Sequence, residues 1–285
     1  MRNAKTIRAQ AVAAAILCCG LGPAFGAVFT LMPSSTVNLS GNFSVDVGGI
    51  SSGSGTLAAQ GPGSLASILS GSINASAGGN TLSFTGGTIT ANSSGNWQPN
   101  GSPAAFGFQV IVPLSGPLSG DSFKFVGDIR DVQFSVTGNV GLSGAPGNQT
   151  FNTSGLALNT TSGTIDLQVF FCSPTCADQG TTSGDLSGPP ADILPAGNGS
   201  FTRVGPNQRL SFPIALSDSQ SQSDTVEGVK VTLATTLSLD GNIAAFAPIP
   251  EPSTWAMLSL GLIATLIALH NSKNIGRSRP LPIVE

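Results

Sequence analysis

The sequence predicts an all-β fold, a β-sandwich or jelly-roll-like exported domain, and three observations point to it. Apolar and polar residues alternate at period two through several stretches. Gly, Ser, Asn and Pro break those stretches at short intervals, and no stretch between the two ends has the apolar spacing of an amphipathic helix. Several short strands with turn residues between them are the sequence pattern of a sandwich or jelly roll. Of 285 residues 37 are Gly, and only 9% are charged. So little charge argues against a self-repelling disordered chain. With targeting segments set aside, roughly 220 residues remain, enough for one large all-β domain.

The elements follow in chain order. Residues 1–26 read as a secretory signal peptide: Arg2, Lys5 and Arg8 precede the short apolar core "AVAAAILCCGLG", and Ala24 and Gly26 are small residues suited to signal peptidase. Cleavage is placed after Gly26. The apolar run falls short of the roughly 20 residues that a membrane span needs. Leu17 is too large for the position before a lipidated cysteine, which argues against lipoprotein processing at Cys18 or Cys19.

The exported domain is assigned to residues 27–247. "TVNLSGNFSVDVGG" sets Val37, Leu39, Phe43, Val45 and Val47 on one face, with Gly41 in the gap. "NTLSFTGGTITAN" does the same with Leu82, Phe84 and Ile89 around an expected turn at Gly86-Gly87. Further strands are expected at "FGFQVIVPL", "DVQFSVTGNVGL", "GTIDLQVFF", "RLSFPIALS" and "VKVTLATTLSLDGNI". Residues 51–63 and 181–199, rich in Gly, Ser and Pro, read as loops.

Chemistry in this domain is narrowly bounded. The only histidine is His270, which leaves the domain without Ser-His-Asp or Cys-His catalysis and without a histidine-ligated zinc site. Between Ala27 and Pro250 stand twelve acidic and five basic residues, with no basic cluster to meet nucleic acid. A glycosidase needs only two carboxylates. Asp128 and Asp131 flank Arg130 and read as solvated hairpin decoration, while Asp218, Asp224 and Glu227 form an acidic turn that could at most ligate calcium. Trp97, in "SSGNWQPNGS", reads as a packing cap rather than a sugar platform. Cys172 and Cys176 are the two cysteines left after signal removal, and an even count in an oxidising compartment favours a disulfide that pins a turn. No cofactor or metal is expected.

The C-terminal end is the most specific part of the chain. Residues 248–254 contain Pro250-Glu251-Pro252, in which proline fixes its own φ and pushes its predecessor into extended conformation. Residues 255–271 follow as a transmembrane helix: Trp255 to Leu269 is uncharged, about 22 Å long as a helix, and nears a full span with its polar flanks. Residues 272–285 carry Lys273, Arg277 and Arg279, which hold the tail on the cytoplasmic side. "PEPSTWAMLSLGLIATLIAL" with its basic tail closely resembles the PEP-CTERM sorting signal of Gram-negative bacteria, over about the last 35 residues. The resemblance rests on Pro250, Glu251 and Pro252, the adjoining Ser253, Thr254 and Trp255, the span, and Arg277 and Arg279. It implies processing by an exosortase, a membrane-embedded cysteine transpeptidase-like enzyme, and association with exopolysaccharide. The sequence therefore predicts a non-catalytic surface or biofilm-matrix protein, first anchored in the inner membrane and then sorted outward. The alternative is a carbohydrate-binding or calcium-dependent binding module carrying the same signal.

Overall fold

The computed structural model describes residues 25–60, 64–93, 97–188, 192–226 and 229–249. Its sixteen strands lie end to end along eight staves. The first stave is β1 (Phe25–Leu31) and β2 (Thr36–Val47); the second is β3 (Ser51–Thr56), β4 (Ala58–Ala59) and β5 (Ala66–Gly78). The third holds β6 (Thr81–Ser93) and β7 (Ala104–Pro113), and the fourth β8 (Ser122–Gly141) and β9 (Ser143–Ala145). The fifth holds β10 (Asn148–Asn152) and β11 (Leu156–Ser173), and the sixth β12 (Thr175–Asp185), β13 (Asp192–Ile193) and β14 (Asn198–Val204). β15 (Asn207–Val226) and β16 (Val229–Pro248) complete the set as single long strands.

Each stave pairs antiparallel with the next. β1 and β2 pair with β5 and β3, then β5 with β6, β6 and β7 with β8, and β8 with β11. β11 and β10 pair with β12 and β14, β14 with β15, and β15 with β16. The circuit then closes, because β16 pairs with β2 from Val231↔Val47 to Asn242↔Thr36 and with β1 at Ala245 and Phe246. The all-β class is as the sequence predicts. The connectivity differs from a jelly roll: each stave leads directly to its spatial neighbour, giving an up-and-down barrel without Greek-key crossovers.

Alternation explains which side faces inward. On β2, Val37, Leu39, Phe43 and Val45 are buried while Thr36, Asn38, Ser40 and Asn42 are exposed. Apolar inside and polar outside is the reverse of a lipid-facing barrel. Phe84 on β6, Phe151 on β10 and Phe212 on β15 meet in the interior, with ring centroids 5.8 to 6.2 Å apart. They come from the third, fifth and seventh staves, so the core here is filled across the barrel.

Three local expectations change. Gly86 and Gly87 form no turn; at φ 113° and 116° they lie within β6, where its registers with β5 and β8 shift. This is a bulge, which bends the strand without ending it. In the segment read as a loop from 51 to 63, Ser51–Thr56 and Ala58–Ala59 are strands. The segment 181–199 contains the end of β12, all of β13 and the start of β14. The barrel begins at Phe25, just ahead of the expected mature residue Ala27, and ends at Pro248.

One junction is incomplete. β14 pairs with β15 only over Asn207 to Ser211; from Phe212 to Val226, β15 keeps β16 as its sole strand partner among the described residues. β12 likewise pairs only with β11. The sixth and seventh staves thus part into a seam over half the barrel's length.

Candidate functional site

Four strands bring one row of residues together on the outer wall. Gly107 stands opposite Asp128, Asp128 opposite Asp166, and Asp166 opposite Ser183, on β7, β8, β11 and β12. At about 4.8 Å between strands the row is roughly 14 Å long. Its outward direction follows from alternation, since Phe106, Phe108 and Ile129 on either side are buried in the core.

A charged network occupies the row's centre. Arg130 pairs through Nε with Asp128 Oδ1 at 2.7 Å and through its terminal nitrogen with Asp166 Oδ2. The Ser183 hydroxyl donates to the other oxygen of Asp166. The Arg130 and Asp128 side chains are only 16% and 17% exposed, and their 2.7 Å contact is too poorly aligned to complete a hydrogen bond. Trp97 covers one end: a Cβ at Gly107 would overlap its indole ring, so glycine is required beneath it. The backbone N–H of Trp97 donates to the Ser93 hydroxyl oxygen at 2.9 Å.

Burial pushes the Asp128 carboxyl above the usual aspartate range, against the opposing pull of the Arg130 guanidinium. The folded protein then holds this proton more tightly than the unfolded chain. Stability contributed by the site therefore falls as pH rises through the range just above the ordinary aspartate value. Asp128→Asn should flatten the dependence of melting temperature on pH in that range, as read by circular dichroism. An unaltered slope would count against this assignment.

The expected residues fare differently. Asp128 and Asp131 do not act together as hairpin decoration, for both lie within the long strand β8. Asp131 occupies a bulge with φ 53°, and its carbonyl accepts a hydrogen bond from the Ser162 hydroxyl at 2.8 Å. Trp97 packs as a cap, yet at the end of a polar row. Asp218 and Asp224 lie on one extended strand six residues apart, roughly 20 Å, so they cannot share an ion. Glu227 lies outside the described residues, as do Pro250, Glu251, Pro252, Lys273, Arg277 and Arg279.

Cys172 and Cys176 oppose one another at the tip of the β11–β12 hairpin, with Cα atoms 3.8 Å apart and the sulfurs bonded. The bond encloses only a short turn. Replacing both cysteines by serine should cost at most about 2 kcal/mol, near the low end for a disulfide. Denaturant unfolding measures this, and non-reducing peptide mass spectrometry reads the linkage itself. A larger loss would mean that the bond supports more than the hairpin tip.

No protein-family model matches the chain, and no curated protein matches it significantly.

Proposed function

We propose that this chain is a non-catalytic exported protein of the cell surface or extracellular matrix, sorted through its C-terminal signal and associated with exopolysaccharide. The observation carrying this reading is one of position. The last stave ends at Pro248, and Pro250-Glu251-Pro252 follows with Ile249 alone between them. The partners on this route are signal peptidase, an exosortase-type enzyme and, before processing, the membrane through residues 255–271. Non-catalysis is supported by the lack of histidine from Ala27 to Ile249 and by the engagement of Asp128 and Asp166 with one arginine.

The outer row supports the carbohydrate-binding alternative as the means of association. An indole ring, two carboxylates, a guanidinium and a hydroxyl along roughly 14 Å offer both stacking and hydrogen bonds to a polyhydroxylated chain. The test is fractionation of producing cells with antibody to the barrel. The processed protein should travel with the polysaccharide and be released by its enzymatic digestion. Trp97→Ala and Asp166→Asn should weaken that retention. Full-length protein confined to the inner membrane would overturn the surface reading; retention indifferent to both variants would remove the row from it.

A further inference from the structure

We propose that the seam between the sixth and seventh staves admits a single-chain amphiphile, its apolar tail inside the barrel and an amine head at the lip. This inference is independent of how the chain is sorted. Two overlapping lobes of about 620 and 680 Å³ open here. They share Leu39, Phe134, Thr160, Leu186, Asp218 and Leu239, which come from the first, fourth, fifth, sixth, seventh and eighth staves. A space lined from so many sides reaches into the barrel interior, and Ala215, Ser217, Ser238 and Asp240 carry its mouth over the free edge of β15. Its size falls within the range of small-molecule pockets, and an eight-stranded barrel has room for one such ligand.

The strand pattern explains both the space and its chemistry. Inward positions of β15 begin with Leu210, Phe212 and Ile214, which are buried, and pass to Leu216, which is half-buried. The same face continues with Asp218 and Gln220, both exposed at the cleft. Past the phenylalanine cluster, the barrel changes from filled core to an apolar floor with a polar lip. Leu237 and Leu239 extend that floor from β16 and remain only half-buried.

Charge selects the head. Asp185, Asp218 and Asp240 line the two lobes, and no lysine or arginine does so among the described residues. Asp218 accepts from the Ser219 N–H at 2.8 Å and from Gln220 Nε2 at 3.0 Å, one bond to each oxygen. Each carboxylate oxygen can accept a further donor. Hydrogen bonds from the Ser187 backbone and hydroxyl hold Asp185 below the usual aspartate range. A fatty acid would set its carboxylate against these groups; an alkylamine would pair with them.

The test uses the full chain and two photoreactive probes with the same diazirine-bearing dodecyl tail, one ending in a primary amine and the other in a carboxylate. After irradiation, peptide mapping should find the amine probe on peptides containing Phe134 and Leu216 to Leu239, displaced by unlabelled dodecylamine. The carboxylate probe should label them about tenfold less, as expected for one favourable ion pair at the lip. Asp218→Asn should narrow that ratio, and Leu239→Trp should remove the label by filling the floor. Leu186→Trp, at the lip, provides the same test should the floor variant fail to fold. Labelling confined to residues 255–269, equal labelling by both probes, cross-linking of the seam to a second copy in place of probe capture, or labelling unaffected by either tryptophan would overturn the proposal.

Discussion

Phe212→Ala should destabilise the barrel by about 3–5 kcal/mol, because it deletes a large side chain at a place where the surroundings cannot collapse. Phe212 is 1% exposed, and its ring meets Phe84 edge-on at 5.8 Å and Phe151 at 6.2 Å. The three rings belong to staves that share no hydrogen bonds with one another, so closing the void would require the ladders on both sides to bend. At this chain length the loss corresponds to a fall of about 6–20 °C in melting temperature. Phe84→Ala should behave alike, and the double variant should show coupling of about 0.5–1.5 kcal/mol, the added value of an aromatic pair. Phe246→Ala is the contrasting case. That ring is 42% exposed, and its removal should cost well under the interior figure. Equal losses at Phe212 and Phe246, measured by denaturant unfolding, would contradict the assigned interior.

Where apolar alternation is present, the sequence is readable in detail. Val37, Leu39, Phe43 and Val45 face inward as their spacing requires, although Val47, near the strand end, is only half-covered. Strands without such alternation escape the reading. β3 is Ser-Ser-Gly-Ser-Gly-Thr, and its close approach to β7 depends on what it lacks: a Cβ at Gly53 or Gly55 would collide with the carbonyl of Pro113 or Ile111 on β7. Composition marks those glycines as loop-forming, whereas the fold uses them for close backbone approach. β12 is exposed along nearly its whole length and offers no inward apolar row either.

The same division holds at the outer row. Asp128 and Arg130 are two residues apart on one strand, so their shared face follows from alternation alone. Asp166 joins them only through the β8–β11 register, and Ser183 through the β11–β12 register. Barrel closure is farther from local reach, since β2 and β16 are separated by most of the domain. Nothing in the repeat of polar and apolar residues distinguishes two facing sheets from one sheet that returns to its first strand. Both bury one side of every strand.

Glu251→Ala should leave full-length protein in the inner membrane while leaving the barrel's melting temperature unchanged. The first half of this outcome comes from the sequence: Glu251 is the charged residue of the Pro-Glu-Pro motif, directly before the uncharged run from Trp255 to Leu269. Without processing, that run should continue to anchor the chain, with Lys273, Arg277 and Arg279 held on the cytoplasmic side. The second half comes from the fold. Among the described residues, the ladders of β16 with β1, β2 and β15 all end by Pro248, ahead of residue 251. The pair of readouts separates two causes of failed export. A variant that is retained and destabilised would have misfolded, and the motif would carry no inference. Retention with an unaltered melt assigns the defect to sorting, whereas normal processing of the variant would refute the role given to Glu251. Conversely, Phe212→Ala should lower barrel stability while keeping an intact motif, so any of it that reaches the membrane folded should still be cleaved.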